Sequence, residues 1–386
     1  MKRPRQLAKR GNIDPFIAMD MMRLANEHEA KGTDIIHMEV GQPATPAPAK
    51  VIEAAQAALR DERLGYTDAL GLPSLREAIA RHYLEKYGVE VASERVVVTT
   101  GSSASFVLAF LAILDEGAGV ALPSPGYPAY RNILRALGAR PVFLDSRAEG
   151  RWMPTPEQLS SQVDSSKLQA VLLASPANPT GTMLVGDALG QFASTCDSLG
   201  LWFISDEIYH GLDFAEPAQT ALAHSDTAIV VNSFSKYFSM TGWRIGWMVV
   251  PEDLARTIER LAQNLYISPP TLSQHAALAA FDSGEELEAI KAVYARTRDL
   301  LLDELPAIGL GEFFPADGAF YLYADIRRFT NDSVDFAHRM LSEAGVATTP
   351  GVDFDAELGA HYVRFSYAGQ TQEMAEAVRR IGRWLA

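Results

Sequence analysis

A series of short, continuously apolar or β-branched runs constrains this chain more than any other feature. They are Val96–Thr99, Gly119–Leu122, Ala170–Leu173, Leu201–Ser205, Ala228–Val231 and Trp247–Val250. Most are separated by stretches long enough for a helix. Short apolar strands alternating with helices indicate a mostly parallel sheet with both faces covered. Ahead of them, Val51–Leu59 and Leu75–Tyr87 repeat apolar residues at helical spacing, with Pro73 as a start signal and Gly88 as a stop.

Beyond Leu254 a charged helical stretch runs to about Leu305, broken at Pro269-Pro270, with a second helix from Leu272. The part from about Leu310 holds two strand candidates, Gly318–Ala324 and Tyr362–Tyr367, and helices at Ser333–Ala344 and Thr371–Leu385. This is α+β patterning. At 386 residues the chain also exceeds the ~250–300 at which one core stops growing. The expected fold class is therefore α/β: a large domain whose mostly parallel sheet is covered by helices on both faces, plus a smaller α+β domain. Residues 1–47 read as an N-terminal arm and the first part of the small domain, 48–275 as the large domain, and 276–386 as the C-terminal small domain.

The net charge of −14, from 34 basic and 48 acidic residues, repels phosphate backbones and argues against nucleic acid as a partner. The basic cluster in Met1–Arg10 (Lys2, Arg3, Arg5, Lys9, Arg10) lacks the apolar stretch of a secretion signal and reads as an arm for an acidic partner subunit. No apolar run approaches the ~18 residues of a membrane helix. The single cysteine, Cys196, rules out a disulfide within the chain and sits among apolar residues at helical spacing, so it reads as a small buried hydrophobe. The expected location is cytoplasmic. His82, His210, His224, His275 and His361 are scattered, and no metal site is implied. Gly117-Ala-Gly119 precedes a strand instead of following one, so no dinucleotide fingerprint is present. Phe16–Arg23, rich in methionine, reads as a helix at a pocket entrance or a subunit contact.

In α/β sheets ligands gather at the carboxyl ends of the strands, and those ends carry the chemistry. Thr100-Gly-Ser-Ser follows the first run and opens a helix, as an anion site or as an ordinary cap. Pro123-Ser-Pro-Gly-Tyr follows the second, where Tyr127 can lie over a planar ring or simply pack in a turn. Asn178 stands between prolines in Ser175-Pro-Ala-Asn-Pro-Thr-Gly, either presenting a fixed amide or starting a turn. Asp206 ends a buried strand, which is costly without a partner, so it should face a cation; Tyr209 lies three residues on. After the fifth run, Asn232-Ser-Phe-Ser-Lys-Tyr-Phe-Ser-Met-Thr-Gly-Trp-Arg-Ile-Gly246 places Lys236 at a strand end among aromatics and small residues. A lysine desolvated there has a lowered pKa and suits Schiff-base chemistry.

The string from Ser233 to Gly246 resembles the cofactor-lysine signature of the class I/II aminotransferases, within fold type I of the pyridoxal-phosphate enzymes. Tyr66-Thr, Thr100-Gly-Ser-Ser, Pro125-Gly-Tyr-Pro, Asn178-Pro-Thr-Gly, Asp206-Glu-Ile-Tyr and Arg364-Phe-Ser match the same family in order, over roughly Gly41 to Arg364. The resemblance implies pyridoxal 5'-phosphate bound to Lys236, which also shuttles the substrate proton. It implies Asp206 at the pyridine nitrogen, Tyr209 and Asn178 at the ring oxygen, and Tyr127 on the ring face. Gly101, Ser102, Ser103, Ser233, Ser235 and Arg244 would hold the phosphate, with Tyr66 arriving from the other subunit of a homodimer. Arg364, beside the Gly41 backbone, would take the substrate carboxylate.

The reaction expected is amino transfer between an amino acid and a 2-oxo acid such as 2-oxoglutarate or pyruvate. A C–S β-lyase on the same frame is the alternative. A transcription regulator using this domain would need a DNA-binding module, for which the stretch ahead of Gly41 is too short. Relatives acting on aspartate can carry a lysine just after the phosphate-loop glycine, where this chain has Ser102. Together with Tyr66, Tyr127, Phe16 and Tyr321, that points to neutral or aromatic donors.

Overall fold

The computed structural model describes residues 7–311, 313 and 316–386. Lys2, Arg3 and Arg5 of the basic cluster lie outside the described residues. Arg10 pairs with Glu116 of its own chain at 3.3 Å.

The chain begins with α1 (Ile17–Glu29), β1 (Ile36–His37), α2 (Ala49–Asp61) and α3 (Pro73–Tyr87). The alternating region comes next as β2 (Val96–Thr99), α4 (Ser102–Ile113), β3 (Gly119–Ser124), α5 (Pro128–Leu137), β4 (Arg140–Asp145), α6 (Pro156–Ser166), β5 (Leu168–Ala174), α7 (Ala188–Leu199), β6 (Trp202–Asp206), β7 (Ile229–Ser233) and β8 (Gly246–Val249). Then come α8 (Glu252–Leu265), α9 (Thr271–Leu278), α10 (Gly284–Ala307), β9 (Tyr321–Asp325), α11 (Ser333–Arg339), β10 (Val346–Ala347), β11 (Thr349–Pro350), β12 (Tyr362–Ser366) and α12 (Thr371–Leu385).

The central sheet runs β2-β8-β7-β6-β5-β3-β4. It is parallel from β4 to β7, and β8 lies antiparallel between β7 and β2. Strand alternation divides its side chains between two cores. Val96, Val98, Val171, Leu173, Phe203, Val230 and Trp247 join one; Val97, Ala170, Leu172, Ile204, Ile229, Val231 and Met248 join the other. The first core is closed by α3, α7 and α9 residues such as Ile79, Phe192 and Ala276. The second is closed by α4, α5 and α8 through Phe106, Leu134 and Ile258.

A third core gathers the C-terminal part around the antiparallel sheet β11-β12-β9, and takes in Ile36 and Met38 from the N-terminal region. On α12, Met374, Ala377, Val378 and Ile381 are buried. Their spacing is that of one helix face, and the charged residues between them stay outside. β1 pairs in parallel with β10, which ties residues 36–37 to the chain's C-terminal part.

Two details depart from the sequence reading. The helix expected from Leu272 is two helices, because the chain tightens into a 3₁₀ turn at Ala279–Asp282 before α10 starts at Gly284. Strand β4 was not expected: it is an edge strand, mostly half-exposed, with Pro141 inside it, so it lacks the apolar signature of its buried neighbours.

The layers make a direct expectation. Phe203→Ala empties a fully buried site between sheet and α7 and should cost about 3–5 kcal/mol, lowering the urea midpoint. Phe143→Ala, on the edge strand and 42% exposed, should barely move it. Equal effects in paired urea titrations would contradict this placement.

Candidate active site

The parallel strands all end on one side of the sheet, and the loops and helices that leave those ends converge on one cavity. Gly41, Ser102, Ser103, Tyr127, Asn178, Asp206, Tyr209, Ser235, Lys236, Arg244 and Arg364 all line this space of about 190 Å3. Two residues expected at the phosphate, Ser233 and Gly101, do not line this cavity, and Tyr66, expected to serve the other subunit, lies on the surface of its own chain. Tyr66 is 84% exposed. Ser233 is buried, and its hydroxyl lies within hydrogen-bond distance of Ser235 Oγ and of the Ile245 carbonyl, which accepts. It therefore braces Ser235 without facing the cavity. Gly101 lies beneath Arg244 as the residue before α4, with φ of 72°. A Cβ there would come within 2.5 Å of Arg244 Nη2, so the bare backbone is what lets the guanidinium lie over the start of α4. Arg244 is exposed at the mouth, and α4 begins without a side-chain cap. Together they leave a guanidinium fork and the start of a helix facing the same space, a fit for a phosphate.

Lys236 follows β7 and donates to the Gly41 carbonyl at 2.6 Å. Burial lowers its amine to about pH 8, and the positive Arg364 and Arg244 add to this against the opposing charge of Asp206. Asp206 ends β6 with 2% of its surface exposed. Its Oδ1 accepts from the Ile208 N–H at 3.1 Å and its Oδ2 from the Tyr130 hydroxyl. Burial raises the carboxyl to about 6, and these two hydrogen bonds and Lys236 limit the rise. The sequence reading expected a cation against Asp206. The groups that touch it are a phenol and a backbone amide, and Lys236 contributes only as a charge at longer range. Tyr130 went unremarked because it reads as one more apolar helix residue. Its signal was position, one helical step after Tyr127 on α5.

Arg364 lies on β12 with 2% exposure. Its Nη1 donates to Asn178 Oδ1 at 2.9 Å, and its Nη2 donates to Thr349 Oγ1 at 3.2 Å and to the Glu39 carbonyl. The guanidinium stacks between Tyr321 and Phe354, 4.5 and 4.7 Å from the ring centres. Its buried Nε has no hydrogen-bond partner. Tyr209 meets Tyr321 hydroxyl to hydroxyl at 2.8 Å. Tyr321 also sits against Gly41, where a Cβ would fall 1.6 Å from its oxygen. Glu39, Thr349 and Phe354 gave no sign in the sequence. Glu39 acts through its carbonyl, and the other two reach the site only through the pairing of β11 with β12.

Helix α1 closes the near side, with Phe16, Ala18 and Met19 on the cavity. Phe16 packs edge-on to Tyr127 at 5.6 Å. Asp353 caps the helix start, accepting from the Ile17 and Ala18 N–H groups at 3.2 and 3.1 Å. His210 is buried behind the site, bonded to Tyr87 and the Ser175 carbonyl. Cys196 is buried in the first core. Among the described residues no helix is long and apolar enough to cross a membrane.

A lowered lysine amine, a buried acid across the cavity and an arginine awaiting an anion define an enzyme site for amino-acid chemistry. Comparison with known proteins agrees. Residues 33–381 match the family Aminotransferase class I and II. The valine–pyruvate aminotransferase of Mycobacterium tuberculosis is 47% identical over 98% of both chains. A crystal structure of an aminotransferase from the same organism superposes with a TM-score of 0.96 at 47% identity, covering 99% of each chain. Aspartate aminotransferase from Thermus thermophilus, solved with maleate, gives 0.93 at 32% identity over 98% of this chain and all of that one. The chain belongs to the class I and II aminotransferases and has the aspartate aminotransferase-type fold. It is an aminotransferase, of a family that in general depends on pyridoxal phosphate.

The cap on α1 can be tested alone. Asp353→Ala should cost about 1 kcal/mol and speed hydrogen exchange at the Ile17 and Ala18 amides. Exchange in β5 and β6 should not change. Unchanged exchange at Ile17 would remove Asp353 from this role.

Proposed function

We propose that this enzyme moves the amino group of a neutral amino acid to a 2-oxo acid, pyruvate being the favoured acceptor, with pyridoxal phosphate held on Lys236. The observation that carries it is Arg364: a buried guanidinium, clamped between two rings, whose Nε still lacks an acceptor. A substrate α-carboxylate supplies that acceptor in bidentate form.

The residues present also fit the cofactor. Ser102, Ser103, Ser235 and Arg244 would hold its phosphate, Tyr127 would cover its ring, Asp206 would meet the ring nitrogen, and Asn178 and Tyr209 the ring oxygen. When bound, the group draws electrons from the substrate Cα and so weakens its C–H bond. Asp206, satisfied by Tyr130 and Ile208, keeps a negative charge available inside the protein. The Lys236 amine, brought near neutral, can take the proton from the substrate Cα and return one. Phe16 and Met19 on α1 exclude water from that exchange.

Selectivity follows from the cations. Arg364 serves the α-carboxylate and Arg244 the phosphate, and the described residues lining the cavity include no further arginine. The space left is bounded by Phe16, Ala18, Met19, Val40, Ile208 and Tyr321. A distal carboxylate finds no partner there from this chain, whereas a branched or aromatic side chain does. The name of the Mycobacterium tuberculosis relative supports the same direction. Exposed Tyr66 suits a homodimer in which it reaches the other subunit's phosphate.

Two measurements test this. Purified protein with pyridoxal phosphate should develop a visible band that is missing in Lys236→Ala. The rate of band formation should rise with pH through about 8, because the neutral amine is the nucleophile and its fraction grows as the proton leaves. In a donor panel, valine, alanine, methionine or an aromatic amino acid should bleach the band, and pyruvate should restore it. Activity confined to aspartate and glutamate would sink the substrate reading. Ammonia released without the aminated cofactor would favour the β-lyase. Separately, Tyr66→Phe should weaken pyridoxal phosphate binding, and co-expression with Lys236→Ala should restore one complete site per dimer.

A further inference from the structure

The segment from Ile36 to Gly41 reaches the active site through two backbone carbonyls. Glu39 O accepts from Arg364 Nη2 and Thr349 Oγ1, and Gly41 O accepts from Lys236. The side chains of His37 and Glu39 line a separate cavity of about 650 Å3 between α1 and α12. There His37 Nδ1 meets Glu39 Oε1 at 2.8 Å, and His37 Nε2 faces Glu29 Oε1 at 3.4 Å. Glu29 is the last residue of α1, the helix whose first turn lines the active site.

Both ring nitrogens of His37 face carboxylates, an arrangement that only a doubly protonated ring can serve with two donors. Glu39 has 1% of its surface exposed, and its second oxygen, Oε2, has no partner. Among the described residues, His37 is therefore the one cation in hydrogen-bond contact with the buried Glu39 carboxylate. The other charged groups of this cavity are Asp34, Glu373, Glu376 and Arg380. Arg380 is committed to Asp34 and to Glu376. Removing the His37 charge leaves Glu39 buried and unpaired, and such a group moves toward water. The atom that would move with it is the carbonyl that fixes Arg364.

We propose that His37 and Glu39 are positioning residues for the substrate carboxylate: the His37–Glu39 pair sets the Glu39 carbonyl, and the carbonyl sets Arg364. The inference rests on the reading of Arg364 as the carboxylate arginine. His37 links the end of α1, through Glu29, to the segment after β1, through Glu39, and the Glu39 carbonyl links that segment to Arg364 on β12. The structure also gives the inference a pH range. The hydrogen bond that His37 donates to Glu39, helped by both carboxylate charges, raises the imidazole to about 9. The contribution is complete below the ordinary histidine range and is lost as pH rises through about 9.

The test uses holoenzyme loaded with pyridoxal phosphate and isobutyrate as an unreactive carboxylate probe, its Kd read from the cofactor absorbance. His37→Gln should weaken isobutyrate roughly tenfold with the cofactor band and pyridoxal phosphate affinity unchanged. His37→Gln combined with Glu39→Gln, which removes the buried charge, should regain most of that loss. In the wild type the Kd should climb as pH passes about 9, and the double variant should lack that climb. The wild-type pH arm stands even where His37→Gln fails to fold. A single variant at wild-type affinity, a double variant as weak as the single, or a wild-type Kd flat through pH 9 each overturns the proposal. Arg364→Leu is the control. If it abolishes isobutyrate binding while His37→Gln binds at wild-type affinity, only the positioning proposal falls. If it binds normally, the carboxylate reading falls and takes this one with it.

Discussion

Keeping a guanidinium almost wholly out of water is the constraint around which this molecule is arranged. An isolated buried charge is prohibitively costly, and a protein must surround it with acceptors or pair it. Arg364 receives neutral acceptors only: an amide oxygen, a hydroxyl and a backbone carbonyl. Two aromatic faces add cation–π attraction, worth about 2 kcal/mol or more when desolvated. Each of these partners comes from a different part of the chain: the loop after β5, strand β11, the segment after β1, strand β9 and residue 354. The site therefore exists only when the N-terminal segment, the central sheet and the C-terminal sheet are all assembled. What the arrangement withholds is a hydrogen-bonded anion, and that deficit is the binding energy offered to a ligand.

The same surplus of positive charge acts on Lys236. Burial alone lowers its amine, and Arg364 and Arg244 push in the same direction, so Asp206 cannot restore the ordinary value. Asp206 is itself kept from rising further by Tyr130 and the Ile208 amide. An aspartate ending β6 and a lysine following β7 thus have their proton affinities drawn toward one another by the same burial, which disfavours the charged form of each. That is how one cavity can hold an acid–base pair near neutral pH without any unusual residue type.

Much of this was legible before the structure. The buried strands were readable because strands covered on both faces must be apolar throughout, and the residues ending them could be named from the sheet rule alone. Lys236, Asp206, Asn178 and Tyr127 reach the cavity from such positions, whereas Arg364, inside a strand of the C-terminal sheet, was named only through the family resemblance. Edge strand β4 was not legible, because half-exposed strands carry no comparable signal. Nor were Thr349 and Phe354, whose place depends on strand pairing across the C-terminal sheet. Glu39 was beyond reach for a stricter reason: its contribution is a carbonyl, and every residue has one. Ser233 shows the converse, since a motif match names the residue but not the direction its side chain takes.

Helix α1 brings these constraints together. Its first turn places Phe16 and Met19 on the cavity, its start is held by Asp353 next to the ring that clamps Arg364, and its end is held by His37. Phe354, the residue after Asp353, stacks on the guanidinium. The helix that borders the cavity is thus fastened at both ends near residues that contact Arg364. A shift of α1 must disturb Arg364, and a rearrangement at Arg364 must be felt along α1. If Arg364 takes the substrate carboxylate as proposed, side-chain selection and carboxylate recognition form one mechanical unit, and a substitution on α1 that reshapes the cavity also acts on that arginine.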